Sequence, residues 1–511
     1  VTRPRFDVST EACIGVRWAD RDAKRPVRLG LRDLLVHAHE IEGIGVTPPP
    51  AQSALYRLLY AITSRIAHLD EDEYEGQEWW DRWEEIRERG LAAEDVDAYF
   101  DEFAGRFDLF DENRPFLQDP RLADPAVCPK SSGVNKLAIG RPAGNNAVWF
   151  GHHWDASPVP LKPDEAFADL LVWLYYGPSG RCATRVHEGV SAADVSAGPL
   201  RSSLSYHLEG DTLLDTLLAG LVPPDPDVRR DEDLCPWERP DLPDPVAQVS
   251  AGASAYAGPR SRLTGGWQHA LLLVPDEAGQ EVVDAFITWG RRGKQPSTND
   301  SYVMIQLSQQ GNLYARYAKA DRALWRDLDG LLQLSTGTES GPRPPEVLRT
   351  FRVMDFFKVR ALGFDQDGKT KDVQFVTAVT PPLLVKIGER EPAKADRIGK
   401  LRTAGEMFGH RLDYAAKRAW ALLTETKIAD CAWNEHAAAI YWPEAEELFW
   451  ALHRKIMDGE DIEDPWRPFL ALALRAFNEV TWSHVRDARS ARAVEQARLE
   501  LFGRAKTKRS A

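Results

Sequence analysis

Residues 107–155 hold the groups best suited to contact a polyanion. Within them Lys130, Lys136 and Arg141 alternate with Ser131, Ser132, Gly133, Asn135, Gly144, Asn145 and Asn146. Cations beside small and amide residues offer ion contacts to phosphate together with backbone and amide hydrogen bonds. A solvated loop with scattered lysines is the open alternative on residue types alone. The stretch has no helical or strand period, and loops longer than about 12–15 residues are generally functional or disordered. Phe116, Leu117, Leu137, Ile139, Trp149 and Phe150 recur through it and argue for order.

Other groups invite catalytic or metal readings. The run Gly151, His152, His153, Trp154, Asp155 puts two histidines side by side, but successive strand residues face opposite ways, so both cannot serve one ion. His436, His453 and His484 fall in helical stretches and read as surface or capping groups. Phosphate-loop, nucleophile-elbow and zincin motifs are missing from the sequence. Carboxylates are abundant, yet no pair stands out as an acid/base couple. We therefore assign no catalytic residue, no metal and no cofactor. The five cysteines, Cys13, Cys128, Cys182, Cys235 and Cys431, are far apart. That spacing gives neither a zinc motif nor a disulfide framework and fits a reducing cytoplasm.

The elements that must position these groups read as α+β. Residues 6–35 suggest a hairpin leading into a helix. In 51–69, Leu55, Leu58, Leu59, Ile62 and Ile66 share one helical face. Residues 79–90 and 93–107 add acidic amphipathic helices. A strong helix spans 163–176, with Pro163 at its start and Gly177 beyond its end. Residues 212–221 form another short helix, and 223–245, rich in Pro and acids, read as a solvated linker. Strands are expected at 271–274, 282–289, 302–306 and 373–377. Asp365, Gln366, Asp367 and Gly368 carry the Asp-Gly signal of a hairpin turn. From about Lys386 the pattern turns helical, at 393–424, 443–458, 465–482 and 485–502, which points to a four-helix bundle. The expected fold class is thus α+β, a large mixed N-terminal domain over 1–384 followed by a C-terminal four-helix bundle over 385–511.

With 511 residues, 43% apolar and 28% charged, the chain can bury large cores. No apolar run is long enough to span a bilayer. Val1 opens the sequence without an initiator Met or a secretory leader pattern, so we expect trimming or a chosen boundary, a cytoplasmic location and no membrane partner. The net charge of −14 has the wrong sign for a protein that coats nucleic acid alone. Composition by itself leaves an enzyme of unrecognised type or a protein–protein scaffold open.

Four segments, in order, carry a resemblance: FDVSTEACIGVR, FDLFDENRPFLQ, the NKL and GRPAGNNAVWF run, and DEAFADLLVWLYYGPSGRC. Together they resemble the large subunit of the type I-E CRISPR surveillance complex Cascade, the CasA family. The resemblance runs through roughly the first 220 residues and continues more weakly to the end. It implies a non-catalytic subunit that recognises the protospacer-adjacent motif (PAM) of double-stranded target DNA and promotes unwinding and R-loop formation. It also implies CRISPR RNA, the other Cascade subunits and a recruited helicase-nuclease as partners, and a helical C-terminal domain. The acidic net charge is compatible with such a role if DNA touches only a few loops.

The resemblance also implies roles for particular residues. Gly177, Pro178, Ser179, Gly180 and Arg181 match the family's glycine-rich turn against the PAM minor groove, though with fewer glycines than some relatives. Relatives add a lysine from a neighbouring loop, for which Arg291, Arg292 and Lys294 are the nearest basic candidates. Asp365, Gln366 and Asp367 match the wedge hairpin, with Gln366 at its amide tip and two acids that repel phosphate beside it. Lys130, Asn135, Lys136, Asn145 and Asn146 fall in the loop that contacts RNA or a neighbouring subunit. Val148 and Trp149 lie where relatives place an apolar side chain near the duplex, with a core position the alternative for Trp149. The cysteine-rich insertion of some relatives is missing.

Overall fold

The computed structural model describes residues 3–20, 24–71, 76–144, 150–201, 203–247, 256, 258–292, 297–308, 310–332, 343–350, 354–367 and 371–503. The chain divides into two compact units. One comprises Val1–Ala318 with Pro344–Thr377, and the other Lys319–Arg343 with Ala378–Ala511.

The first unit is built around the helix Pro50–Ile66, which is buried on nearly every face. A helix so enclosed must satisfy any charge it carries. Arg57 does so by donating to Asp300 at 2.6 and 3.1 Å and lying 5.0 Å from the Tyr302 ring centre. Beside it runs Pro163–Tyr176, also almost wholly buried. Small antiparallel sheets surround the pair. Ile14–Trp18 pairs with Arg28–Leu29 and Ile41–Gly45. His269–Pro275 pairs with Val282–Trp289, and Gly180–His187 with Val190–Val195. Phe356–Asp367 lies between Ser205–Glu209 and Lys371–Val379.

Three sequence expectations need correction here. The strand pair Gly180–His187 and Val190–Val195 was not foreseen, because its residues have little β-branched content; Glu188 and Gly189, with φ of 45° and 80°, form its turn. The helix expected over 93–107 stops at Glu102. Residues 223–245 are not a solvated linker throughout: Cys235, Trp237 and Glu238 are buried. Glu238 accepts from the buried Arg260 and, at 2.8 Å, from the Tyr99 hydroxyl.

Four helices make the bundle of the second unit: Pro392–Thr424, Trp433–Met457, Trp466–Thr481 and Ala488–Phe502. Among the described residues no strand lies beyond Leu384. The second helix begins ten positions earlier than its proline suggested, and Pro443 sits inside it. Proline removes one helical hydrogen bond, but Ala437, Tyr441, Ala445 and Phe449 continue one buried stripe past it at four-residue spacing, so packing carries the helix through. The unit also takes in an earlier segment that a boundary drawn once along the chain at 384/385 leaves out. Trp325 of that segment stacks on Phe449 at 4.8 Å, and Arg326 donates to both carboxylate oxygens of Glu406 at 2.7 and 3.0 Å.

Candidate nucleic-acid interface

The loop before the helix Pro163–Tyr176 is ordered by its own backbone. Ser132 donates its amide to the Ala285 carbonyl at 2.7 Å, and its hydroxyl accepts from the Ile287 amide at 3.1 Å. The Gly133 amide donates to Asp284 at 3.0 Å, and the Gly144 amide to Asp155 at 2.8 Å. Asn135 is 1% exposed and donates to the other oxygen of Asp155 at 3.1 Å. Trp173 donates its indole N–H to the Leu137 carbonyl at 2.8 Å, fastening the short helix Val134–Leu137 to the long one. The Ile139 amide donates at 3.4 Å to Asp169, whose carboxyl burial pushes up to about 7. Pinned in this way, the loop leaves Lys130 exposed and Lys136 half-buried.

The turn after the helix is held as closely. A Cβ on Gly177 would lie 2.5 Å from the Trp173 carbonyl oxygen and 2.6 Å from the His269 ring, so only glycine fits. His269 donates from Nε2 to the Pro178 carbonyl at 3.1 Å, and the Gly198 amide donates to the Gly177 carbonyl at 2.8 Å. Pro178 and Ser179 are half-buried; Gly180 and Arg181 are exposed. The expected five-residue turn is shorter than the sequence implied. Gly180 and Arg181 already belong to a strand, opposite Val195 and Asp194.

Asp365 and Gln366 lie at the end of the strand Phe356–Asp367 rather than in a turn, and Gly368 falls outside the described residues. Gln366 donates its side-chain amide to Asp372 at 3.0 Å. The same carboxylate meets the buried Arg201 at 2.8 Å, which donates to the Tyr176 carbonyl at 2.7 Å. Phe364 packs edge-on against Tyr176 and Phe375 at 5.4 and 5.0 Å. This chain of contacts ties the hairpin to the end of the helix Pro163–Tyr176.

These three segments converge on one cleft of about 1200 Å³. Lys130, Asn135, Lys136 and Arg141 line it from the first, Pro178 and Arg181 from the second, Phe364 and Asp372 from the third. Val172, Trp173 and Tyr176 supply apolar wall. Arg141 donates to the Val159 carbonyl. No ion pair is made by Lys130, Lys136 or Arg181 among the described residues, whereas the Asp155 and Asp284 carboxylates of the cleft accept backbone and amide hydrogens. The cleft therefore presents uncommitted positive charge in an acidic chain. Arg201, which joins turn to hairpin, was missed by sequence reasoning; no periodicity or motif marks it.

Other candidates lie elsewhere. Arg292 donates to the carbonyl and carboxylate of Asp194 at 3.0 and 3.3 Å, and Arg291 lines a different cavity, 5.2 Å from the Tyr256 ring centre. Lys294, Asn145, Asn146, Val148 and Trp149 lie outside the described residues, and nothing is described of the Asp367 side chain. His152 is exposed and His153 half-buried. Ligand-like spacing occurs instead at His187, Glu188 and Asp244, where His187 lies 3.4 Å from Asp244 in a surface pair. Among the described residues no helix is long and apolar enough to cross a membrane.

Comparison with known proteins gives concordant matches. The sequence profile of the CRISPR-associated protein Cse1 matches residues 7–488. A CRISPR-associated protein CasA/Cse1 of Thermus thermophilus is 28% identical over 321 residues, which is 61% of this chain and 58% of that protein. The alignment thus spans somewhat more than half of that relative's length. A chain of a solved CRISPR RNA-guided surveillance complex superposes with a TM-score of 0.86 at 39% identity, covering 98% of this chain and 100% of the other. The crystal structure of Thermus thermophilus CasA shares the fold, with a TM-score of 0.74 at 20% identity and 98% of each chain covered.

Proposed function

Because this chain belongs to the CRISPR-associated Cse1 family, we propose that it is the non-catalytic large subunit of a Cascade-type surveillance complex and that its cleft receives target DNA at the PAM. In this reading Lys130, Lys136 and Arg181 hold phosphates, and the narrow turn at Pro178 and Ser179 lies against the minor groove. Small residues let backbone enter that groove, whose degenerate hydrogen-bond pattern allows several PAMs to be accepted. The hairpin carrying Gln366 then separates the first base pairs and starts the R-loop. Partners are CRISPR RNA, the other subunits of the complex and a recruited helicase-nuclease, all in the cytoplasm.

The observation that carries this reading is the convergence of the three segments on one cation-bearing cleft. The first and third lie more than two hundred residues apart in sequence, and the bonds from Trp173, His269 and Arg201 fix all three to the helix Pro163–Tyr176 or the turn after it. The net charge of −14 favours contact restricted to this cleft over coating of nucleic acid.

The test is a salt titration of duplex binding by the reconstituted complex. Each phosphate contact contributes a slope of about 0.9 in log affinity against log salt. Lys130→Ala with Lys136→Ala should lower that slope by up to about two contacts' worth, and Ser179→Trp should weaken PAM-bearing duplex while sparing PAM-less DNA. An unchanged slope together with equal losses on both duplexes would remove the cleft from DNA recognition.

A further inference from the structure

A second cavity in the same unit shares no lining residue with the cleft and is lined by five arginines: Arg106, Arg114, Arg121, Arg239 and Arg291. Among the described residues two carboxylates line it. Asp119 takes Arg121 at 2.7 Å and the buried Arg185 at 2.5 Å, while Asp244 faces His187 at 3.4 Å. Arg106, Arg114, Arg239 and Arg291 make no ion pair among the described residues. Arg114 instead donates to the carbonyls of Pro240 and Arg239 at 2.6 and 2.9 Å, and Arg239 donates to the Leu234 carbonyl at 3.2 Å. Carbonyl oxygens satisfy guanidinium hydrogens without cancelling their charge. Nη1 of Arg106 is buried with no hydrogen-bond partner among the described residues.

Four half-buried guanidinium groups without a carboxylate partner repel one another across one recess, and the buried Nη1 of Arg106 requires an acceptor; an anion shared among them answers both. At Arg114, burial first and neighbouring Arg106 second lower the pKa, against the opposing pull of Asp241. The chain carries 78 acidic residues, so the lack of carboxylate partners here is not a shortage of acids. The cavity volume is about 110 Å³. One water needs only about 10–15 Å³ of such space, so a tetrahedral oxyanion fits. Several guanidinium forks lining one cavity suit a phosphate group, which offers acceptors all round, better than a planar carboxylate.

We propose that this arginine cavity binds a single phosphate group, from free phosphate or from the end of a nucleic-acid strand. The proposal is independent of the role assigned to the cleft.

Calorimetric titration of the full chain in a low-salt chloride buffer tests it, with orthophosphate, acetate, and a short RNA carrying either a 5′-phosphate or a 5′-hydroxyl as titrants. Saturable orthophosphate binding, stronger than acetate, is expected. Arg106→Gln and Arg291→Gln should each weaken it about tenfold, the scale of one charge-assisted hydrogen bond. Arg229→Gln, which alters an exposed pair with Asp231, should leave it unchanged. Arg291 makes no hydrogen bond among the described residues, so its variant keeps the test open if Arg106→Gln fails to fold. Binding of the 5′-phosphorylated but not the 5′-hydroxyl RNA, weakened by the same variants, supports the site with nucleic acid as its source. Orthophosphate binding alone supports it with the free ion. Absence of saturable binding by any phosphate, or equal binding by wild type and both variants, overturns the proposal.

Discussion

His269 donates its Nε2 hydrogen to the carbonyl of Pro178 across 3.1 Å, so a core histidine sets the backbone of the turn proposed to meet the PAM. The carbonyl can only accept, which fixes the proton on Nε2 and leaves the buried Nδ1 bare. Burial pushes the histidine's pKa down to about 4. An unfolded histidine titrates near 6.5, so between about 4 and 6.5 the unfolded chain binds more protons and stability rises with pH. The contribution is fully present above about pH 6.5 and is lost as the pH falls toward 4. His269→Gln should flatten that part of the stability profile in denaturant titrations. A profile as steep as wild type would show that another group dominates.

Asp169 acts in the opposite sense. Its folded pKa of about 7 lies above the usual carboxylate value, so the folded chain binds more protons over that range and stability falls as pH rises from about 4 through 7. Asp169→Asn keeps an acceptor for the Ile139 amide and removes the charge. It should stabilise the protein at pH 8, by on the order of 2–4 kcal/mol at most, and leave it little changed at pH 4. A variant destabilised at both pH values would mean that the ionised carboxylate supports the loop.

In the bundle, a Cβ on Gly405 would come within 2.5 Å of Trp325, and one on Gly409 within 2.2 Å of Trp442. Both tryptophans use the space that glycine leaves on the helix Pro392–Thr424. Gly405→Ala should cost about 1–3 kcal/mol by overpacking, and Trp325→Ala about 3–5 kcal/mol by leaving a cavity. The double variant should lose less than the sum, because the added methyl then fills part of the hole. Additive losses in a chemical denaturation series would show that the two residues do not share that space.

Legibility in the sequence followed the range of the interactions. The helix Pro163–Tyr176 was readable to the residue because its proline, acids and terminal glycine are local signals. The four bundle helices were readable for the same reason, except where Pro443 hid the continuity of Trp433–Met457. The strand pair after the turn was hidden by short polar residues whose pairing depends on a Glu188–Gly189 turn. Lys130, Lys136 and Arg181 could be selected by charge and resemblance, but their shared cleft depends on Arg201 and His269. Both are buried polar groups far away in sequence, and no local pattern predicts which backbone they bind. Three of the four cavity arginines without an ion pair, Arg106, Arg114 and Arg239, stood unremarked for a related reason: a missing carboxylate partner is a fact of three dimensions.

Gln366 and Asp372 provide the sharpest division between fold and function in the cleft. Their 3.0 Å hydrogen bond is exposed, so Gln366→Ala should change stability by less than about 0.5 kcal/mol. Asp372 also meets Arg201, which is 3% exposed. Its removal strips a buried cation of its carboxylate, and Asp372→Ala should destabilise the unit by about 1–3 kcal/mol. If the hairpin only braces the cleft, the two variants should rank in the same order for strand opening as for stability. If Gln366 meets the duplex, a planar amide stacked on exposed bases helps offset an unstacking cost of a few kcal/mol per step, and the ranking should invert. Gln366→Ala would then bind PAM-bearing duplex normally yet open it slowly. Permanganate reactivity of unpaired thymines reports opening, and a filter-binding series on the same duplex reports association. Wild-type opening in Gln366→Ala would take the wedge role from this residue whatever Asp372→Ala did.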